Sequence, residues 1–199
     1  MLAAQHVEAT AETLRQMDIN EAAARDAVEL QAAELLSATG DFAATSEVGR
    51  GAFGVVYTAA LLPALQEVGA IAIKRLSNCS KDGLEEMKRE VAILRMCHSR
   101  HTLPLRGYCL DASASCLCLV SPLCRGGNLA DRLFDTNAGR ERLRKLGFER
   151  TAPILTWQER LRILRDATRG LAYLHTPITG GKPLVLHRDV KPQNRTCHL

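Results

Sequence analysis

The sequence His-Arg-Asp-Val-Lys-Pro-Gln-Asn occupies residues 187–194 and decides the interpretation of the whole chain. Six of these eight positions, all except Val190 and Gln193, form a pattern of charged side chains, an amide and a proline. At typical residue frequencies such a set coincides by chance at about one position in 10⁸, so an arbitrary polar loop is a poor explanation. The stretch therefore predicts a dedicated functional loop.

A second motif lies upstream at residues 49–56, Gly-Arg-Gly-Ala-Phe-Gly-Val-Val. Glycine allows the backbone to approach phosphate oxygens and to direct its N–H groups at them. A dinucleotide-binding fingerprint requires a helix directly after the glycines, whereas the residues that follow here predict a strand. Taken alone the motif is weak, because three such glycines arise by chance in roughly one chain in fifteen of this length.

A third motif, Ile-Ala-Ile-Lys, occupies residues 71–74 and places a lysine at the end of an apolar strand. A lysine in a buried position needs an anionic partner, which a phosphate or a carboxylate can supply. Glu90 lies on the next predicted helix, beside its apolar face, where it could reach Lys74. A lysine that extends from the strand end into water is the alternative for this residue taken in isolation.

Together, and in this order, the three motifs resemble those of protein kinases. Residues 187–194 resemble the catalytic loop, and Lys191, two places after Asp189, is typical of the serine/threonine form. Segments 35–42, 105–109 and 170–175 resemble the plant receptor-like kinases and their interleukin-receptor-associated relatives. The resemblance covers about residues 35–194.

The resemblance implies an α+β, protein-kinase-like two-lobed fold, with a complete five-stranded N-lobe containing one helix and a partial helical C-lobe. It places a kinase domain at residues 41–199, with an N-lobe at about 41–121, a hinge at 122–128 and a partial C-lobe at 129–199. Residues 1–40 form an extension that helical periodicity predicts to be helical as far as Gly40.

Local patterns predict the individual elements of the kinase domain. They are a hairpin over 47–60, a strand over 69–76, a helix over 82–95, strands over 103–110 and 116–121, a short helix ending at Phe134, an inserted loop or helix extension over 140–150, and a helix from Trp157 to His175. Thr156 and Glu159 form a predicted capping box before the last helix.

The resemblance also implies a set of nucleotide-binding residues. Glycines of the hairpin would cover the ATP phosphates, two apolar side chains would pack on adenine, and the backbone of the hinge would pair with adenine's edge. The residues are Val48, Gly49, Arg50, Gly51, Gly54, Val56, Ala72, Lys74, Pro122 and Cys124, with Ser121 at the gatekeeper position. Lys74 would contact the α- and β-phosphates and pair with Glu90.

The catalytic roles implied by the resemblance fall on the loop at 187–194. Asp189 would accept the proton of the substrate hydroxyl, Lys191 would contact the γ-phosphoryl group, and Asn194 would bind a magnesium ion. The implied cofactors are ATP and Mg²⁺, and the implied partner is a protein substrate with a Ser or Thr hydroxyl.

The pattern departs from the family after Asn194, where an apolar strand and a DFG motif are expected and residues 195–199 read Arg-Thr-Cys-His-Leu. This departure motivates the hypothesis that the sequence is a fragment of a full kinase. The alternatives are a catalytically inactive kinase-like binding module and a non-functional fragment. The helix over 157–175 is expected to expose its apolar face.

Composition restricts the other classes of protein. The net charge of +4 combines an acidic head, residues 1–40, with a basic body, but 4% aromatic residues and no reader motif argue against nucleic-acid binding. Seven cysteines show no framework of disulfides or metal ligands. With neither a membrane span nor a secretory leader in the pattern, the sequence predicts a cytoplasmic protein. The oligomeric state stays open.

Overall fold

The computed structural model describes residues 27–134, 136–148 and 155–194, and six strands of these residues form one sheet. The strands are β1 (Val28–Glu29), β2 (Glu47–Gly51), β3 (Gly54–Ala59), β4 (Ile71–Leu76), β5 (Gly107–Asp111) and β6 (Cys116–Pro122). Their spatial order is β1-β5-β6-β4-β3-β2. Neighbouring strands are antiparallel, except that β1 runs parallel to β5.

Five α-helices accompany the sheet in the described part of the chain. They are α1 (Ala32–Thr39), α2 (Lys81–Leu94), α3 (Leu129–Leu133), α4 (Asn137–Lys145) and α5 (Trp157–His175), and 3-10 turns span Pro63–Val68 and Pro192–Asn194. The predicted capping box of α5 is confirmed, because the Thr156 N–H donates to Glu159 Oε2 at 2.7 Å and the Glu159 N–H to Thr156 Oγ1 at 3.3 Å.

Apolar side chains cover both faces of the sheet because side chains alternate along each strand. One face carries Ile71, Ile73 and Val120 and packs against Leu35 of α1, and all four residues are fully buried. The opposite face, with Tyr108, Leu117 and Leu119, packs against Met87 and Val91 of α2. The sheet is therefore the middle layer of three, with α1 on one side and α2 on the other.

The predicted helix over residues 1–40 needs correction where the structure describes it, from residue 27 onward; the remainder lies outside the described residues. The segment is extended at β1, where the Val28 N–H donates to Arg106 O at 3.0 Å and the Leu30 N–H to Tyr108 O at 2.8 Å. Helix begins only at Ala32 and ends, as predicted, before Gly40, which has φ +61°. Pairing with the edge of β5 overrides the helical periodicity.

Gly107 makes this pairing feasible, since a Cβ there would lie 2.7 Å from Leu30 Cδ1 and 3.2 Å from Val28 O. A glycine inside a strand often marks such a close backbone approach. All five predicted strands are present, and β1 is a sixth, absent from the prediction.

Most other predicted elements are confirmed, with two adjustments. Strand β5 begins at Gly107 rather than at Leu103, and the basic stretch that begins at Arg140 belongs to a regular helix, α4. Helix α5 exposes its apolar face as predicted, with Trp157 68%, Leu161 47% and Leu164 64% exposed. Among the described residues, no helix is both long and apolar enough to span a membrane.

Candidate nucleotide and catalytic site

The predicted phosphate-binding glycines lie on the hairpin formed by β2 and β3. Gly54 has φ +153°, and a Cβ there would lie 2.2 Å from Arg75 O, so only glycine fits this position. Gly51 differs, because a Cβ would meet nothing within 4 Å. The turn is thus held tightly on its β4 side and is open beside Gly51.

Three of the predicted nucleotide contacts share one face of the sheet. Val56 is paired directly with Lys74, and Ala72 lies two residues before Lys74 on the same strand, so their side chains point to the same side. All three are half-buried. Val48 lies at a register shift in β2 between Glu47 and Gly49. Arg50 forms an exposed ion pair with Glu47 at 2.6 Å, which raises the Arg50 pKa.

The predicted pairing of Lys74 with Glu90 is not observed. Within the described ranges no ion pair joins these side chains at 4.0 Å or less. Glu90 lies at the margin of the buried face of α2, which is formed by Gly83, Met87 and Val91. Both residues are half-buried, so their pairing stays a prediction.

The predicted hinge follows β6 directly. Pro122 is the last residue of β6, opposite Ile71, and the Leu123 N–H donates to Ala70 O at 3.0 Å. Cys124 is buried, and its carbonyl accepts from the Gly127 N–H at 3.1 Å. These contacts hold the backbone of the predicted hinge beside the start of β4, close to Ala72.

Two of the three predicted catalytic-loop residues donate hydrogen bonds to the carboxylate of the third. Asp189 Oδ2 accepts from Lys191 Nζ at 2.7 Å and from Asn194 Nδ2 at 2.8 Å. The Asn194 N–H also closes a turn on Lys191 O at 3.0 Å, and Arg188 before it has φ +60°. The sequence spacing D-x-K-x-x-N thus becomes a compact polar cluster.

Electrostatics in this cluster favour the ionised carboxylate. The hydrogen bond from Lys191, followed by that from Asn194, lowers the pKa of Asp189 below its usual value. The Asp189 side chain is 47% exposed, so a substrate hydroxyl could reach it. Asp189 is therefore an anion with an accessible oxygen at neutral pH.

The residues present fit ATP and magnesium. Because Asn194 donates through its Nδ2, its Oδ1 is available as the hard oxygen ligand that Mg²⁺ prefers, and Mg²⁺ usually completes its shell with water and phosphate. The described residues contain no cluster of three or more His, Cys, Asp or Glu side chains suited to a metal ion. Asn194 would hold the ion, and the open turn at Gly51 leaves room for phosphates.

Several residues that hold this region together carry only weak signals in the sequence. Lys182 is 2% exposed, and its Nζ donates at 2.9 Å to three carbonyls, those of Leu174, Thr176 and Pro183. This ammonium group closes the connection between α5 and the catalytic loop. The Tyr173 hydroxyl accepts from the His98 N–H at 2.7 Å and so joins α5 to the segment after α2. For Lys182, the only local signal in the sequence is its position between two glycines and a proline.

Comparison with known proteins identifies the family of this chain. The family model described as protein tyrosine and serine/threonine kinase matches residues 42–195. This chain belongs to the protein kinase family. Among curated proteins of Arabidopsis thaliana, an L-type lectin-domain containing receptor kinase is 36% identical over 160 residues, covering 80% of this chain and 20% of the relative. A leucine-rich repeat receptor-like serine/threonine-protein kinase is 36% identical over 147 residues, covering 74% and 14%.

A solved structure agrees with the kinase fold. An apo pseudokinase superimposes with a TM-score of 0.59 at 21% sequence identity, covering 75% of this chain and 48% of that one. At this identity the likeness concerns the fold alone. The kinase segment described here spans about a fifth of the length of its curated relatives.

Proposed function

We propose that this chain binds MgATP between the glycine hairpin and the catalytic loop, and that it serves transfer of the γ-phosphate to Ser or Thr hydroxyls of proteins. The observation that carries the proposal is the convergence of Lys191 and Asn194 on Asp189 at 2.7 and 2.8 Å. Phosphoryl transfer depends on positioning and charge neutralisation, and this cluster supplies a base, a cation and a metal ligand.

Each residue has a separate task in this proposal. Asp189 orients the substrate hydroxyl and accepts its proton, Lys191 contacts the transferred phosphoryl group, and Asn194 holds magnesium. Bound magnesium neutralises charge that develops on the phosphate oxygens. Lys74 orients the α- and β-phosphates, and pairing with Glu90 would then belong to the nucleotide-bound state.

The remaining assignments complete the proposal. Val56 and Ala72 pack on adenine, and the backbone of Pro122 and Cys124 pairs with its edge. Val48 belongs to the same nucleotide-binding set. The domain boundaries, with an N-lobe over 41–121, a hinge over 122–128 and a C-lobe from 129, stay predictions. Selectivity for Ser and Thr rests on Lys191 and on the serine/threonine relative, and a role in cytoplasmic signalling is part of the same proposal.

The test separates binding from transfer. Calorimetric titration of the 199-residue chain with MgATP measures affinity, and [γ-³²P]ATP with casein measures transfer to a protein substrate. We expect Asp189→Asn to leave affinity within about twofold while transfer falls by about 10²-fold or more, as removal of a general base does. Equal transfer by Asp189→Asn and the parent chain would refute the assignment of Asp189.

A second candidate is a kinase-like module that binds nucleotide without transferring phosphate. It is favoured by the lack of an ion pair between Lys74 and Glu90 within the described residues, because that pair would orient the phosphate-binding lysine. In the experiment above, this candidate predicts saturable MgATP binding and no incorporation of label. Transfer by the parent chain that Asp189→Asn abolishes would exclude it.

A further inference from the structure

Helix α4 is firmly anchored to the segment that follows the predicted hinge. Arg142 makes two hydrogen bonds to the carboxylate of Asp131, at 3.0 and 2.5 Å, and the Asp131 side chain is only 3% exposed. Leu143 is buried against Gly127, where a Cβ would lie 2.7 Å from Leu143 Cδ2. One side of α4 is thus fixed to α3 and to the turn at Gly127.

The other side of α4 contacts the phosphate-binding hairpin. Lys145 Nζ donates to Glu47 O in β2 at 2.8 Å, and an ideal Cβ on Gly49 would lie 4.0 Å from Arg142 Cδ. The contact is at the register shift between Glu47 and Gly49, where the ladder of β2 and β3 is irregular. Lys145 therefore contacts β2 at the point where the pairing of β2 with β3 is irregular.

We infer that Lys145 is a positioning residue that ties the glycine hairpin to the segment after the predicted hinge and slows nucleotide release. The helix bridges two elements that a nucleotide would have to separate in order to leave. Burial of Leu143 and the Arg142–Asp131 pair make α4 a fixed base, so one hydrogen bond at its end can restrain β2. The inference rests on the proposed nucleotide site.

Arg144 offers a matched control on the same turn of α4. It is a basic, exposed neighbour whose guanidinium pairs with Glu141 at 2.8 and 2.9 Å, within its own helix. Lys145→Ala and Arg144→Ala therefore remove the same charge from the same surface. Lys145→Arg keeps a donor long enough to reach Glu47 O and serves as the rescue variant.

The first measurement is hydrogen–deuterium exchange of the 199-residue chain without nucleotide. We expect Lys145→Ala to speed exchange of amides in residues 47–56 by about fivefold, the factor for one net hydrogen bond, while Arg144→Ala and Lys145→Arg match the parent. The second measurement is dissociation of fluorescent mant-ATP with Mg²⁺ by stopped flow. Its rate constant should rise by a similar factor in Lys145→Ala only.

The two measurements distinguish failure of this inference from failure of the proposed function. If the parent chain binds mant-ATP and Lys145→Ala behaves like Arg144→Ala in both measurements, the inference is wrong. If the parent does not bind mant-ATP, the proposed function and slowed release both fail, and the exchange result alone decides whether Lys145 restrains the hairpin. A uniform rise in exchange across the chain would also overturn the inference, because it would signify general destabilisation.

Discussion

The central sheet and helix α5 differ in how completely their apolar side chains are covered. On the sheet, Ile71, Ile73 and Val120 are fully buried beneath α1 and its surroundings. In α5, Gly170 is the one buried residue, packed against His101 O, while Trp157 and Leu164 are more than 60% exposed. The free energy of folding should therefore come mainly from the N-lobe, and α5 should depend on its cap and a few contacts.

The largest expected effect comes from comparing two leucine truncations, one in a helix packed on the sheet and one in α5. Leu35→Ala in α1 removes a fully buried side chain and should lower the free energy of unfolding by about 2–5 kcal/mol. Leu164→Ala in α5 removes a side chain that is 64% exposed and should change it by about 0.5 kcal/mol or less. Urea unfolding followed by circular dichroism measures both, and equal losses would contradict the comparison.

A smaller effect concerns the hairpin at the rim of the sheet. Gly54→Ala places a Cβ against Arg75 O at a φ that only glycine adopts readily, and should cost about 1–3 kcal/mol. Gly51→Ala is the matched control, because a Cβ there meets no atom within 4 Å. Thermal unfolding of the two variants compares them directly. A Gly51→Ala variant less stable than Gly54→Ala would show that the turn is arranged differently.

The smallest effect concerns the exposed catalytic loop. The Asp189 pKa is lowered first by Lys191, so Lys191→Met should raise it, and Asn194→Ala should raise it less. Because the folded-state pKa is the lower one, the stabilising contacts are present above the unfolded pKa and are lost as pH falls through the folded pKa. Carboxyl ¹³C NMR titration measures the shift. An unchanged Asp189 pKa in Lys191→Met would contradict the observed contact.

Elements with strong local signals could be predicted from sequence. The glycine hairpin, β4, α2 and the capped helix α5 each combine clear periodicity with turn or cap residues, and the structure confirms them. The loop at 187–194 was identified by its residues, and the structure adds the convergence on Asp189. In these elements the structure preferred by the local sequence is also the one that tertiary packing favours.

The misses share a physical cause, which is contact between residues distant in sequence. Strand β1 forms because Gly107 leaves room for it at the edge of β5, about 80 residues away in sequence. The helical periodicity of residues 1–40 does not indicate this pairing. Lys145 reaches Glu47 across 98 residues. Lys74 and Glu90 form no ion pair within the described residues, and their pairing stays a prediction for the nucleotide-bound state.

The most direct test of the central claim is amide chemical-shift mapping of the ¹⁵N-labelled 199-residue chain during titration with MgATP. The proposed site predicts saturable shifts concentrated in residues 49–56, in β4 around Lys74 and in the catalytic loop at 187–194, with α5 between Trp157 and Leu164 unaffected. Shifts confined to the exposed face of α5, or no saturable shifts in the hairpin and the catalytic loop, would contradict it.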